Sequence, residues 1–544
     1  MFLGMVIKPL GDTKPFVWSF SQRSISEKRL GSPKGCFQRG AYVYLSLIEK
    51  PLGVMVLNKL KIPAKVELIV APLLTAFGAY LRLRNLVSRE FWYDEAFSGI
   101  LARESWSSML HLAFRDTHPP LYYVALKEWT ELFGVTDFAM RSLSVVFGVA
   151  LIPLVYLFSK KVSGNMLTPY LATFVTAISP FLIDYSQETR SYTMLAFLTI
   201  LSGYFLHEAL TKSPMKFNID WLIFSILLPI AFLTHYIFAF GIISMALISF
   251  GYLKHAKLLR KENILGIITL LMKVSVVPLV AFGLWFPTLK SQLELNTALS
   301  WVPEAQFSLI PRSLYAFLFG VNRQALGVPP VYELSPFLSS DTVSFVTYTL
   351  FVVLGTYTFG RSISKLSLTY PLLMGLLPIT GVLIASIYFG KHLYVERFLI
   401  GYGVFLIVYI ANLISEIKSK SVVAITVVTY LLLTMLMPDN TGNPGYRELS
   451  IFIRKSSGTV VFVDPIEFVT AKYYLGKELN KEIKLLDPQH NIKFEGWVVI
   501  DGNDVLNRFP EEPCTIVSYK PLNRAVSYKI GEFRVYESCG LGPM

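Results

Sequence analysis

Eleven apolar runs, each about as long as a membrane helix and separated by polar turns, constrain this chain more than any other feature. A bilayer core of about 30 Å needs roughly 20 apolar helical residues. Such runs are predicted near 66–87, 138–158, 168–184, 190–207, 221–235, 236–253, 266–288, 341–360, 369–389, 398–414 and 421–437. The pair 221–253 is too long for one simple crossing, and His235-Tyr236 supplies a turn between its halves. Only 16% of the 544 residues are charged, and the mean hydropathy is +0.51, too apolar for a soluble surface of this size. The sequence therefore predicts a mainly α, polytopic membrane protein.

Charge sets the expected orientation. Residues 1–65 carry eleven Lys or Arg against three acidic residues. They read as a basic, disordered cytoplasmic tail rather than a nucleic-acid-binding segment, so no nucleic-acid partner is expected. No cleavable leader pattern is seen, and Met55 is a second candidate start. Lys160 and Lys161, Lys212 and Lys216, Lys254 to Lys261, Arg361 and Lys365, and Lys418 and Lys420 occupy alternate loops. The loop 88–137 has eight acidic residues and four basic ones. Positive-inside bias then puts the N-terminus in the cytoplasm and the C-terminus outside.

The regions follow from this: a tail 1–65, a membrane domain 66–437 with outer loops 88–137 and 289–340, and an extracytoplasmic domain 438–544. Within the first outer loop, Asp94–Met109 and Pro120–Phe133 read as amphipathic helices along the membrane surface. The last region alternates apolar runs (Val460–Val463, Trp497–Ile500, Thr515–Val517) with helical stretches such as Ile466–Leu475, and ends in a hairpin over Tyr528–Tyr536. It reads as a small α/β domain without a Gly-rich phosphate loop. It contains Cys514 and Cys539, which spacing alone leaves as either a disulfide or two buried thiols.

The residues able to carry chemistry collect at the outer ends of the spans: Asp94, Glu95, Asp116, His118, Asp184, Glu188, Arg190, His235, Lys391, Glu396 and Arg397. Asp94 reads either as a helix cap or as a general base. His118, ahead of Pro119-Pro120, is a structural partner of a carbonyl, a metal ligand or a phosphate donor. Gln187, Glu188 and Arg190 serve either loop solubility or a site. A transporter of a lipid-linked or anionic substrate is the rival reading, but it predicts charges near span centres and paired broken helices. A scaffold displaying the last domain leaves the cluster 94–118 unexplained.

Taken in order, Asp94-Glu95, Asp116-Thr117-His118-Pro119-Pro120-Leu121-Tyr122-Tyr123, Phe138 to Ser144, and Ser179-Pro180-Phe181 through Tyr185-Ser186-Gln187-Glu188-Thr189-Arg190-Ser191-Tyr192 form a pattern. It resembles the GT-C glycosyltransferases, in the branch of dolichyl-phosphate-mannose protein mannosyltransferases and bacterial aminoarabinose transferases. The resemblance covers about 66–250 and extends more loosely to 437. No Trp-Trp-Asp-Tyr-Gly occurs, unlike the oligosaccharyltransferase branch. The resemblance implies a polyprenyl-phosphate sugar donor, an acceptor on protein, glycan or lipid, and Asp94 as catalytic residue, with Glu95 as a second catalytic candidate; one direct displacement then implies inversion. The resemblance places His118 near the donor phosphate; by location and charge, Arg190, Lys391 and Arg397 are further donor-phosphate candidates. Asp116, Tyr122, Gln187, Glu188, His235 and Tyr236 are further residues of the active surface. A divalent metal held by Glu95, Asp116 and His118 is compatible with the resemblance but not required by it.

Overall fold

The computed structural model describes residues 64–294, 302, 304–307, 309–320, 366–389, 393–435, 443–456, 458–476, 483–487, 498–510 and 514–537. Residues 1–63 of the expected tail 1–65, the span 341–360 and the candidate Lys391 lie outside the described residues. Fifteen helices precede residue 436 among those described: α1 (Ala64–Leu83), α2 (Tyr93–Arg103), α3 (Trp106–Arg115), α4 (Leu121–Phe133), α5 (Asp137–Val162), α6 (Thr168–Ile178), α7 (Pro180–Ser186), α8 (Tyr192–Lys212), α9 (Ile219–Thr234), α10 (Phe238–His255), α11 (Ile264–Leu293), α12 (Leu309–Phe319), α13 (Leu366–Tyr388), α14 (Ile400–Ser415) and α15 (Lys420–Met435). Among the described residues, six helical segments are long and apolar enough to cross a membrane, those of α5, α8, α10, α11, α13 and α14. Leu265, Leu271, Leu279, Leu284 and Phe286 of α11 are exposed, as a helix facing lipid requires. At α14 almost every side chain is buried, so that helix forms the centre of the bundle.

The expected single span 168–184 is instead two helices. Pro180 has no N–H to give the preceding turn, and Ser179 takes a non-helical ψ of 120°. Arg82 of α1 completes the break: its guanidinium donates to the carbonyls of Thr176 and Ala177 at 3.0 and 2.9 Å, satisfying the C-terminus of α6, and to Ser186 Oγ at 3.1 Å. Gly148 lets α7 approach α5, since a Cβ there would lie 2.2 Å from Ser186 Oγ. The expected helix 94–109 is also divided, by the extended Glu104 and by Ser105, which caps α3. The pair 221–253 is two helices meeting at His235-Tyr236.

The last region contains α16 (Tyr446–Lys455), β1 (Thr459–Phe462), α17 (Pro465–Leu475), β2 (Ile483–Leu486), β3 (Val505–Leu506), β4 (Cys514–Ser518), β5 (Tyr528–Ile530) and β6 (Phe533–Tyr536). The strands form one sheet in the order β3-β2-β1-β4-β6-β5. β1 pairs parallel with β2 and β4, whereas β6 runs antiparallel to β4 and β5. Val498 and Val499, in the apolar run Trp497–Ile500, lie in a turn rather than a strand. Cys514 is disulfide-bonded rather than a buried thiol, and Cys539 lies outside the described residues.

This fold sorts charge along the bundle. Asp94, His118, Arg190, His235 and Arg397 precede α5, α8 and α14 or follow α9, whereas Lys160, Lys161, Lys212 and Lys418 lie at the far ends of α5, α8 and α14.

Candidate active site

Asp94 occupies the first turn of α2. It does not cap that helix: the N-cap residue is Trp92, which makes no side-chain cap bond. The Asp94 carboxylate instead faces two buried arginines that come from different helices. Its Oδ2 lies 4.0 Å from Arg190 Nε, just before α8, and 3.5 Å from Arg397 Nη2, in the 3-10 turn that opens α14. Both ion contacts fall on Oδ2.

The arginines are themselves held. Arg190 donates to Tyr123 Oη at 3.3 Å and to Ser98 Oγ at 3.4 Å, and its Nη2 lies 3.3 Å from His118 Nε2. The Arg397 guanidinium sits over the rings of Trp92, Tyr192 and Phe398 at 5.2, 5.6 and 5.6 Å, a set of cation–π contacts. Tyr123 donates to Asp116 Oδ2 at 3.0 Å, and His118 Nδ1 is 3.3 Å from the same oxygen. Burial opposes the charged form of Asp116, yet hydrogen bonding and charge from His118, with Arg190 behind it, hold its carboxyl below the usual value. Pro119 and Pro120 end the loop and start α4, which aims His118 inward.

His235 completes the wall. Its ring lies edge-on to His118 at 5.8 Å and 4.7 Å from the Phe398 ring. Its Nδ1 accepts from the Ile237 N–H at 3.3 Å. Among the described residues, His235 Nε2, Tyr192 Oη and Trp92 Nε1 are buried without a hydrogen-bond partner. Buried polar groups are costly unless satisfied. Three of them beside two arginines suit a polar, anionic ligand.

Other candidates stand apart from this centre. Glu95 is fully buried and paired with Arg141, whose Nε and Nη2 each lie 2.7 Å from one carboxylate oxygen; the Thr189 N–H adds a bond at 3.0 Å. Tyr122 bonds Ser144 Oγ at 3.1 Å inside the bundle. Gln187 donates to the carbonyls of Arg82 and Arg84 at 3.0 and 2.8 Å, closing the end of α1. Glu188 is buried in the same turn. Tyr236 accepts from Trp285 Nε1 at 2.8 Å and donates to Gln292, fastening the turn to α11.

These placements test the metal set. Both oxygens of Glu95 are taken by Arg141, and Asp116 and His118 face Arg190. Among the described residues, no three His, Cys, Asp or Glu side chains come together as metal ligands. The set Glu95, Asp116 and His118 does not fit a divalent ion, because cationic guanidinium groups occupy the positions where the ion would need donors.

Sequence reasoning did not single out Arg141, Tyr123, Ser98 or Trp92. Arg141 had a signal, a lone arginine early in an apolar helix, where only a buried partner makes it tolerable.

The fold and this charged centre define a polytopic helical membrane protein with a cluster of buried charge at one set of helix ends. Residues 117–282 match the family described as dolichyl-phosphate-mannose-protein mannosyltransferase. No curated protein matches the chain. Among solved structures, the chain is similar to ArnT from Cupriavidus metallidurans bound to undecaprenyl phosphate, with 12% identity over 87% of this chain and 99% of that one, at a TM-score of 0.54. The apo state of the same protein gives 12% identity and a TM-score of 0.54, over 88% and 100% of the two chains. The S. cerevisiae protein O-mannosyltransferase Pmt1-Pmt2 complex bound to the sugar donor is 19% identical, but over only 41% of this chain and 34% of that one, with a TM-score of 0.35. The chain thus shares the fold of the ArnT structures, and the family match falls on residues 117–282 within it.

Proposed function

We propose that this chain is an inverting glycosyltransferase that moves a sugar from a polyprenyl-phosphate carrier to a hydroxyl of a protein, glycan or lipid on the extracytoplasmic side. The observation that carries this reading is the Asp94 carboxylate set beside two buried arginines, with a lipid-facing bundle beneath.

In the proposed step, the acceptor oxygen attacks the anomeric carbon as the bond from that carbon to the phosphate oxygen breaks. The acceptor proton passes to Asp94 Oδ1. The electron pair leaves with the prenyl phosphate, whose growing charge meets Arg190 and Arg397, with His118 and His235 beside them. Fixed cations aimed at developing charge contribute several kcal/mol without reorganising. A phosphate is already a good leaving group, so no strong general acid is required. One displacement inverts the sugar carbon. The carrier lipid lies in the bilayer, which accounts for an active centre at helix ends. Glu95, joined to Arg141, supports the helix that bears Asp94 and takes no part in proton transfer. The basic far ends of α5, α8 and α14 support a cytoplasmic N-terminus and an outward-facing site.

The test offers purified protein a panel of radiolabelled polyprenyl-phosphate sugars, with wild type beside Asp94→Asn. Transfer or slow donor hydrolysis that disappears in the variant supports the class and the base together. Turnover surviving in the variant moves the base elsewhere. No turnover across the panel, with donor binding intact, favours transport of the lipid-linked substrate.

A further inference from the structure

The segment bearing Asp94 is gripped from the opposite side by the C-terminal domain. Glu90, four residues before Asp94, is 4% exposed and lies against the N-terminus of α16. Its Oε2 accepts from the backbone N–H groups of Gly445 and Tyr446 at 2.9 and 2.7 Å, and its Oε1 accepts from Arg447 N–H at 2.7 Å. One carboxylate thus satisfies the first donors of a helix whose own cap residue, Gly445, has no side chain to do so. The next residue is held as well: the Phe91 N–H donates to Tyr474 Oη at 2.6 Å, and the Phe91 ring stacks on Tyr473 at 4.8 Å. At the far end of α2, Arg103 donates to the Tyr473 carbonyl at 2.7 Å. Tyr473 Oη and Arg447 Nη2 both reach Asp137, at 2.7 and 2.9 Å, where α5 begins.

The helix α2 therefore has two supports. Arg141 holds it from within the bundle through Glu95 and the carbonyls of Leu86, Arg89 and Glu90. The C-terminal domain holds it from outside through Glu90, Phe91 and Arg103. Asp94 must meet Arg190 and Arg397 at once, so a tilt of α2 moves the carboxylate away from both.

We propose that Glu90 is a positioning residue, which uses the C-terminal domain as a clamp to set Asp94 against Arg190 and Arg397. The catalytic part of this inference rests on the reading of Asp94 as base. The clamp itself does not.

The experiment uses the full-length protein in detergent, comparing wild type with Glu90→Gln, Tyr474→Phe and, as a control on the exposed face of the domain, Lys529→Ala. Hydrogen–deuterium exchange is read over 93–103 and 137–162, with kcat and KM for the donor measured beside it. The clamp predicts several-fold faster exchange over 93–103 in Glu90→Gln and, more weakly, in Tyr474→Phe, with 137–162 still protected. It predicts kcat about tenfold or more lower, with donor KM within about twofold of wild type, because a misplacement of about 1 Å costs rate before it costs binding. Lys529→Ala changes none of these. Unchanged exchange over 93–103 in Glu90→Gln overturns the clamp. Loss of protection across 137–162 as well shows a general loss of structure and also overturns it. If wild type turns over no donor, the exchange data still decide the clamp, and only the role of Asp94 has failed.

Discussion

Arg141 holds Glu95 by both oxygens, 2.7 Å from each, with both side chains fully removed from solvent. Breaking a buried pair from one side leaves an uncompensated charge, which costs about 3–5 kcal/mol. Glu95→Ala is therefore expected to lower the thermal midpoint of the detergent-solubilised protein strongly, and Arg141→Ala likewise. Asp94→Asn, one residue away, is expected to leave the midpoint within a few degrees. A midpoint unchanged in Glu95→Ala contradicts this division of roles.

The paired carboxylates show where a sequence is legible and where it is not. Neighbouring residues on a helix point roughly 100° apart, so Asp94 and Glu95 meet different surroundings although the dipeptide treats them alike. Asp94 turns to Arg190 and Arg397, and Glu95 turns inward to Arg141. The helices α5, α8, α10, α11 and α14 were legible because long apolar runs have little else to form in a membrane. The break at Ser179-Pro180 was obscured, since hydropathy continues across it while the backbone does not. Arg397 could be noticed as a charge at the end of an apolar run, but its approach to Asp94, across about three hundred positions, has no local signature. The same holds for the seating of α16 on Glu90.

Arg397 combines an ion contact with three aromatic faces, and this geometry needs a planar guanidinium. Arg397→Ala is expected to lower kcat/KM for the donor by about 10²–10³, in line with removal of one preorganised donor to developing charge. Arg397→Lys is expected to recover only a minor part, because a point charge cannot keep the stacking. Full activity in Arg397→Lys contradicts a role for the planar fork. The measurement is a donor titration at saturating acceptor.

The cations at this centre belong to the protein. Activity is therefore expected to persist when the protein is dialysed against EDTA, and added Mg²⁺ or Mn²⁺ is expected to change kcat by less than about twofold. Loss of turnover that a single metal restores contradicts the assignment of phosphate charge to Arg190 and Arg397.

Gly445 takes a left-handed φ of 99°, and a Cβ there would stand 3.0 Å from Gly531 Cα in the turn between β5 and β6. Gly445→Ala meets both strain and a backbone neighbour, so a loss of about 1–3 kcal/mol is expected. Limited proteolysis should show it first within 443–537. Equal resistance in the variant means that α16 can shift without cost.

Glu467, on α17, gives the C-terminal domain a pH dependence whose sign follows from its surroundings. Burial, and then the charge of Asp464, push its carboxyl up from 4.5 to about 8. Oε1 accepts from the Tyr519 N–H at 3.0 Å, whereas Oε2 has no hydrogen-bond partner among the described residues, as suits a protonated oxygen. The folded state thus keeps a proton that the unfolded chain loses above about 4.5. Stability from this group is full below that value, falls as pH rises, and reaches its floor once pH passes about 8. Each pH unit in that window costs about 1.4 kcal/mol at most. Glu467→Gln resembles the protonated form at every pH. It is expected to match wild type near pH 5 and to exceed it in thermal midpoint by a growing margin up to about pH 8. Parallel midpoint curves for the two proteins from pH 5 to pH 9 mean that Glu467 is ionised in the folded state, and that the domain tolerates its charge.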